Sequence, residues 1–447
     1  MAGGYFDVNV GKKRPGAYVN VKSRRQQKAS STTRGIVVIP LVGYDWGPDA
    51  QFIKIESESP DANAVLLGRS IYDDNNFMLL IRESLKEAVT CYAYIINAGA
   101  KAAATVGGLT ITAMYGGTHG NDIRVACTAN TVSGFDVSVY LGVDVVETYT
   151  NLNTIADLIA AAEKKYVVFS AASEETALTA FAGTSLTGGT NGETNNEKVS
   201  TFLDRCDNVK WHTMCFPVTD ASLQAACIAK IKYLRESAGK WVQAVIPACS
   251  GDYEGIINVT NSVILSDGKE LTVAQACAWV AGATAAATKV ESNTYKAYEG
   301  ASEVSGIKSN EEAIAAISNG EFFFSVSEEG NVVVEYDINS LHTFTTEKTS
   351  DYAKNRIMRV YDSFAEDLAL TFPPNKYSNN TDGWLVMEGL GRALLQRYAD
   401  EGAIDNVDLD DDFSVDRSRS SGDETYFNVG IQAVDSAEKL YFSVSTR

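Results

Sequence analysis

Residues 35–43 read Gly-Ile-Val-Val-Ile-Pro-Leu-Val-Gly, seven nonpolar positions between two glycines. Such a run predicts a strand covered on both faces, as in a parallel sheet. Asp45-Trp46-Gly47-Pro48 has the chemistry of a turn. A helix is predicted over residues 76–87 and a second strand over 91–96, the opening of an α/β unit. The alternation resumes after residue 193. Helices at 196–206, 221–237 and 273–290 are interleaved with strands at 210–216, 241–247 and 256–265. This spacing predicts a mainly parallel sheet flanked by helices. Residues 321–326 and 332–338, joined by Ser327-Glu328-Glu329-Gly330-Asn331, predict a β-hairpin.

Between the two α/β stretches the pattern changes. Residues 98–188 are rich in Gly, Thr, Val and Ala, with short alternating runs at 109–115, 122–129, 135–141 and 144–149. One helix, at 155–164, precedes a strand at 166–169. This reads as a mostly-β inserted domain of about a hundred residues. The last hundred residues form a further block. A strand is predicted at 342–346. A long helix capped by Ser350 or Asp351 follows, with Ile357, Val360, Tyr361, Phe364 and Leu368 along one face. Pro373-Pro374 stops it. A second helix is predicted at 384–399, then an acidic loop at 405–416. Two closing strands at 426–434 and 440–444 flank the turn at 435–438.

The first 34 residues fit no core. Their one patterned piece is Pro15-Gly16-Ala17-Tyr18-Val19-Asn20-Val21, in which Ala17, Val19 and Val21 alternate with Tyr18 and Asn20. That is the period of a strand, and a lone strand needs a sheet edge to pair with. Residues 23–33 are polar and unpatterned, a linker of eleven residues that can extend to roughly 36–40 Å. Charge sharpens this division. The chain carries −19 overall. Residues 1–34 hold eight basic residues against Asp7 alone, a net +7; the remainder holds 30 basic against 56 acidic residues, −26. A basic arm on an acidic body is suited to lie on another copy of that body. The acidic remainder disfavours general nucleic-acid binding.

The chain has 447 residues, enough for two to four domains, and 45% hydrophobic against 21% charged residues, the balance of a folded soluble protein. The expected division is an arm and linker at 1–34, the first part of an α/β core at 35–97, the β insert at 98–188, the main α/β domain at 189–340, and an α+β assembly domain at 341–447 ending in a strand arm. The start of the chain lacks the pattern of a secretory signal, and no apolar run spans a membrane, so the expected site of synthesis is a cytoplasm.

Candidate chemistry is sparse. His119, His212 and His342 are the only histidines and form no metal-binding spacing. No Gly-x-Ser-x-Gly elbow is present. The loop Gly116-Gly117-Thr118-His119-Gly120-Asn121-Asp122 fits neither a dinucleotide nor a phosphate-loop pattern and reads as a tight turn. Asp408-Leu409-Asp410-Asp411-Asp412 begins like a calcium loop, but Phe413 and Arg419 stand where Gly and Glu are needed. Seven cysteines, without a CxxC pair, read as buried thiols. No catalytic residue, cofactor or metal ligand is assigned. Two rival classes stay open at this point: an α/β hydrolase-like enzyme with a cationic tail, and a non-contractile shell or surface-layer protein.

Four motifs, in chain order, carry a resemblance. Arg14-Pro15-Gly16-Ala17-Tyr18 resembles the "R-P-G-V-Y" opening of contractile phage tail sheath proteins, with Ala17 where that family has a larger apolar residue. Gly117-Thr118-His119-Gly120-Asn121-Asp122 resembles a turn of its β-sandwich insert. Thr343-Phe344-Thr345, followed by Asp351 to Asp362, resembles the start of its C-terminal domain. Glu438-Lys439-Leu440-Tyr441-Phe442-Ser443-Val444 resembles its closing strand. The plan is closest to sheaths of defective prophages and R-type bacteriocins of Gram-positive bacteria. The resemblance implies an α/β multidomain protein: a subtilisin-like α/β core without a catalytic triad, an inserted β-sandwich, an α+β C-terminal domain and extended arms at both ends. It implies a structural subunit that polymerises as stacked hexameric rings around a tail tube protein, meets baseplate and tail terminator proteins, and contracts. It would work in a virion tail or released phage-tail-like particle assembled in a bacterial host cytoplasm, without membrane insertion or direct nucleic-acid contact. Strand exchange would join copies, with Pro15 to Val21 as the donated strand. Phe427, Val429, Ile431, Leu440, Tyr441, Phe442 and Val444 would supply the accepting strands. Glu388, Arg392 and Arg397, on the helix at 384–399, are the candidates for contact with the tube.

Overall fold

The computed structural model describes residues 34–171, 177–193 and 196–446. The arm strand at 15–21 and the linker at 23–33 lie outside the described residues.

The body is built on a seven-stranded sheet. Its strands are β1 (Ile36–Val42), β2 (Phe52–Glu56), β3 (Thr90–Ile96), β4 (Thr213–Cys215), β5 (Gln243–Pro247), β6 (Ile256–Val259) and β7 (Glu321–Phe322), in the order β7-β6-β5-β4-β1-β3-β2. All neighbours are parallel except β2, which runs antiparallel to β3 at one edge. β1 is central. Val37, Ile39 and Leu41 face one core and Val38 the other, which is why the run shows no polar alternation. Pro40 is tolerated there because the β1–β4 pairing ends at Val38 opposite Met214.

Helix α1 (Asn76–Leu85) and the Ala-rich α3 (Val273–Ala286) cover the first face. Asn75 caps α1, and Thr272 forms a reciprocal cap with Gln275 on α3. α2 (Ala221–Glu236), capped by Asp220, covers the other face with the helix Asn196–Arg205. The run at 256–265 is not one strand. It breaks after β6, and Ser262–Leu265 leaves the sheet to pair with Ala301–Ser305. Asn261 holds the break: its amide accepts from Phe324 N and donates to Phe324 O, both at 2.8 Å. The expected hairpin also divides, β7 joining the main sheet while Phe324–Val326 pairs with Val332–Val334.

The insert is two antiparallel sheets. One has four strands: Phe181–Ser185, Ile123–Ala129, Phe135–Leu141 and Asp144–Leu152. The other has three: Ala103–Val106, Leu109–Ala113 and Val167–Ala171. Leu109, Ile111, Val125, Val137, Val139 and Phe169 are buried between them. The glycine loop is a short 3-10 turn, Thr118–Asp122.

In the last block, α4 (Asn355–Thr371) and α5 (Thr381–Asp400) pack through Val360, Phe364, Leu394, Leu395 and Tyr398. Four short strands follow: β8 (Ile404–Asp405), β9 (Phe413–Val415), β10 (Phe427–Val429) and β11 (Gln432–Ala433). They pair as β8–β11 and β9–β10. Three expectations fail here. Residues 342–346 form no strand. Ser350 and Asp351 do not cap the long helix; they belong to a 3-10 turn, Ser350–Ala353, and Lys354 precedes α4 without a side-chain cap. Residues 440–444 form no strand within the subunit.

Candidate functional site

An open α/β sheet normally offers its ligand crevice at the carboxyl ends of the strands, where the strand order reverses. Here that point lies between β1 and β4. It holds a cavity of about 160 Å³ lined by Pro40, Val42, Phe77, Leu80, Pro217 and Val218, with only Asn76 and Gln275 as side-chain polar groups. No Ser, Cys, His or carboxylate faces it. The histidines serve the fold. His119 joins Asp122 at 3.0 Å and Gly68 O at 2.9 Å. His212 Nδ1 accepts Ile36 N at 3.2 Å. His342 Nδ1 lies 2.9 Å from Ser340 O.

The unusual chemistry is at the two ends of the body. At the first, Arg34 is buried where the described chain begins. Burial lowers its pKa, and Arg359 adds to the effect, while Asp362 and Glu366 oppose it. His212, beside it, is pushed down to about 3 by burial and then by Arg34 and Lys210. Its ring is therefore a neutral acceptor for Ile36 N, while the backbone N–H of His212 donates to Ile36 O. Gly35, at φ 103°, approaches Val89 so closely that a Cβ would lie 2.9 Å from its Cγ2. Residues 34–36 are thus firmly seated.

At the other end, Val434 N donates to Ala403 O, and past that point the described chain enters no strand. Leu440, Tyr441, Phe442 and Val444 are 64%, 91%, 83% and 90% exposed. The residues expected to form one accepting surface therefore divide. Phe427 and Val429 lie in β10, paired to β9, and Ile431 packs on the C-terminal core. Leu440 to Val444 project without a partner strand among the described residues.

The three candidates on α5 also divide. Glu388 is buried. Its carboxylate accepts Val415 N at 3.0 Å and Arg417 Nη2 at 3.2 Å, so it ties α5 to β9 and does not face outward. Arg392 lies on the surface 3.8 Å from Asp410, and Arg397 bonds Asp367 at 2.6 Å. Leu385, Val386 and Leu390 of the same helix are also exposed.

Sequence reasoning missed Lys354, Asp435 and Glu438, which meet at the root of the exposed tail. Their only trace in the sequence is a polar cluster just before an apolar end.

Comparison with known proteins places these ends in context. Residues 97–191 match the phage tail sheath protein beta-sandwich domain, 192–340 the central domain and 347–447 the C-terminal domain. The Phage-like element PBSX protein XkdK of Bacillus subtilis (strain 168) is 35% identical over 99% of both chains. This chain belongs to the phage tail sheath protein family. A crystal structure of the sheath tail protein from Desulfitobacterium hafniense is similar with a TM-score of 0.83 and 38% identity, over 96% of this chain and 99% of that one. The helical sheath of the anti-feeding prophage, in its contracted state, shares the fold at a TM-score of 0.57 and 13% identity, over 98% of this chain and 100% of that one. The sheath protein described here is thus a contractile tail sheath subunit of a phage tail or phage-like particle, a structural protein and not an enzyme.

Proposed function

We propose that copies of this sheath protein join by strand exchange, with residues 15–21 of one copy pairing with the tail at 440–444 of a neighbour. One observation carries the reading: four large apolar side chains project at 64–91% exposure from a tail that has no strand partner among the described residues. Main-chain pairing with a second copy satisfies such a segment. A head-to-tail contact of this kind that does not close on itself builds a helix, here as stacked hexameric rings around a tail tube. In this reading the domains divide the work. Residues 1–34 and 341–447 assemble, 35–97 and 189–340 form the subtilisin-like frame, and the insert at 98–188 is carried on it. The outer face of α5, with Val386, Leu390 and Arg397 at i, i+4 and i+11, turns to the tube. Baseplate and terminator proteins close the ends, assembly takes place in the host cytoplasm, and contraction moves the copies from a kinetically trapped packing to one with more surface in contact.

The test is truncation of the full chain at either end. Removal of residues 1–22, or of 440–447, is expected to leave a folded soluble monomer that forms no tubes in negative-stain images. Tubes of normal length from either truncation would overturn the reading.

A further inference from the structure

Strand exchange needs the tail to leave the subunit in a fixed direction, and the residues that fix it lie on one helix. Lys354, at the N-terminal end of α4, contacts both Asp435 (3.2 Å) and Glu438. Its ammonium also stands over the Tyr336 ring, 4.2 Å from the centroid. The Glu438 carboxylate accepts Ser292 Oγ at 2.9 Å and Thr294 Oγ1 at 2.7 Å. Two residues further on from Lys354, Arg356 donates to Ser436 Oγ at 2.9 Å. Residues 435–438 are held at several points, and two residues later the exposed apolar run begins.

The same contacts continue inward. Thr294 Oγ1 accepts Asp337 N at 3.0 Å. Asp337 Oδ2 accepts Arg359 Nη2 at 2.8 Å, and its other oxygen accepts Asn355 Nδ2 at 3.0 Å. Arg359 lies on α4, and its charge, with those of Asp362 and Glu366 of the same helix, acts on Arg34. The contacts of the tail root therefore run without a break from Glu438 through Thr294 and Asp337 to Arg359 in the second turn of α4.

We propose that Lys354 pins the root of the C-terminal tail by gathering Asp435 and Glu438, and that this pin sets the direction in which residues 440–444 leave the subunit. The inference rests on the strand-exchange reading for its purpose but not for its geometry. A pinned root confines residues 440–444 near one exit, which raises their effective concentration for a second copy's strand. Burial alone would lower the Lys354 pKa. The bonds to Glu438 and Tyr336 and the nearby carboxylates outweigh it, so the net shift is upward and the pin stays charged at neutral pH.

The test uses the full chain and two readouts. Tryptic cleavage after Lys439 in the monomer reports the pin, and tube length in negative stain reports assembly. Lys354→Met is expected to speed the cleavage at least tenfold, with cooperative melting retained, and to shorten or abolish tubes. Lys354→Arg, which keeps the charge, is expected to behave as the parent. Should Lys354→Met fail to fold, Asp435→Asn with Glu438→Gln removes the acceptors without touching α4, and the same tenfold change is expected. Unchanged cleavage in that double variant and in a folded Lys354→Met overturns the pin. Faster cleavage with tubes of normal length overturns its role in assembly. Because cleavage is read in the monomer, the pin is measured even where the 440–447 truncation polymerises normally and strand exchange itself falls.

Discussion

Arg235 and Asp362 meet in a two-point contact, Nη1 to Oδ2 at 2.9 Å and Nη2 to Oδ1 at 2.7 Å, although 127 residues separate them. Both side chains are 4% exposed. Arg235 closes α2 and Asp362 lies in the middle of α4, so the pair joins the central domain to the C-terminal domain. Burial works against the Arg235 charge, and Asp362 more than restores it, holding the pKa above the ordinary arginine value.

Removing only the carboxylate strands a buried cation. Asp362→Ala is therefore expected to destabilise the protein by about 3–5 kcal/mol. Replacing both members with apolar residues, Arg235→Met with Asp362→Leu, is expected to recover most of that loss, since neither desolvated charge remains. Recovery stays incomplete because the Asp362 charge also favours the buried Arg34 cation. Urea denaturation of the single and double variants measures both. A single variant within about 0.5 kcal/mol of the parent, the range of an ordinary surface change, would refute the argument.

The His212 imidazole gives stability a pH dependence with a definite sign. In the unfolded chain it titrates at its ordinary 6.5, and in the folded protein at about 3. Between those values the unfolded chain binds a proton that the folded chain refuses, so this group lowers stability as pH falls below 6.5 and contributes nothing above it. The slope approaches about 1.4 kcal/mol per pH unit, or about 2 kcal/mol between pH 7.5 and pH 5. His212→Gln offers an amide oxygen in place of Nδ1 for Ile36 N and has no titration. Its stability is expected to fall by about 2 kcal/mol less than the parent's across that interval. Parallel pH profiles for the two proteins would show that His212 is not held neutral.

The legible parts of this fold are those whose signals are local. β1 announces itself as an apolar run, and α4 by a 3.6-residue repeat ending at two prolines. β2 was missed although Ile53 and Ile55 point inward between exposed Lys54 and Glu56, a period-2 pattern only five residues long. The strands Ala103–Val106 and Phe181–Ser185 have no fully buried residue and so no alternation to find. Glu388 reads as a surface charge because its partner, Val415 N, lies 27 residues away. Lys354 and Glu438 are 84 residues apart. Nothing in either neighbourhood names the other. The tail at 440–444 has the alternation of a strand but forms none among the described residues, because the period of a sequence does not supply a partner.

Two helical glycines make a paired test of packing, with opposite signs. Gly282 lies in α3 where it crosses α1, and a Cβ there would come within 2.3 Å of Ser84 O. That carbonyl accepts Ala88 N at 2.9 Å at the end of α1, so it is not free to move aside. Alanine is the better helix former by roughly 1 kcal/mol, yet overpacking costs about 1–3 kcal/mol and an immovable backbone atom puts this site at the upper end. Gly282→Ala is expected to lower the melting temperature. Gly389 lies on the open face of α5, where a Cβ would meet nothing within 4 Å. There only the helix propensity and the reduced freedom of the unfolded chain act, and Gly389→Ala is expected to raise stability by about 0.4–1 kcal/mol. Thermal denaturation of the monomer reads both signs. A stabilising Gly282→Ala would mean that α1 and α3 do not cross as closely as described. If Gly389→Ala keeps its stability but loses tube formation, the open face of α5 is a contact surface that needs a bare backbone.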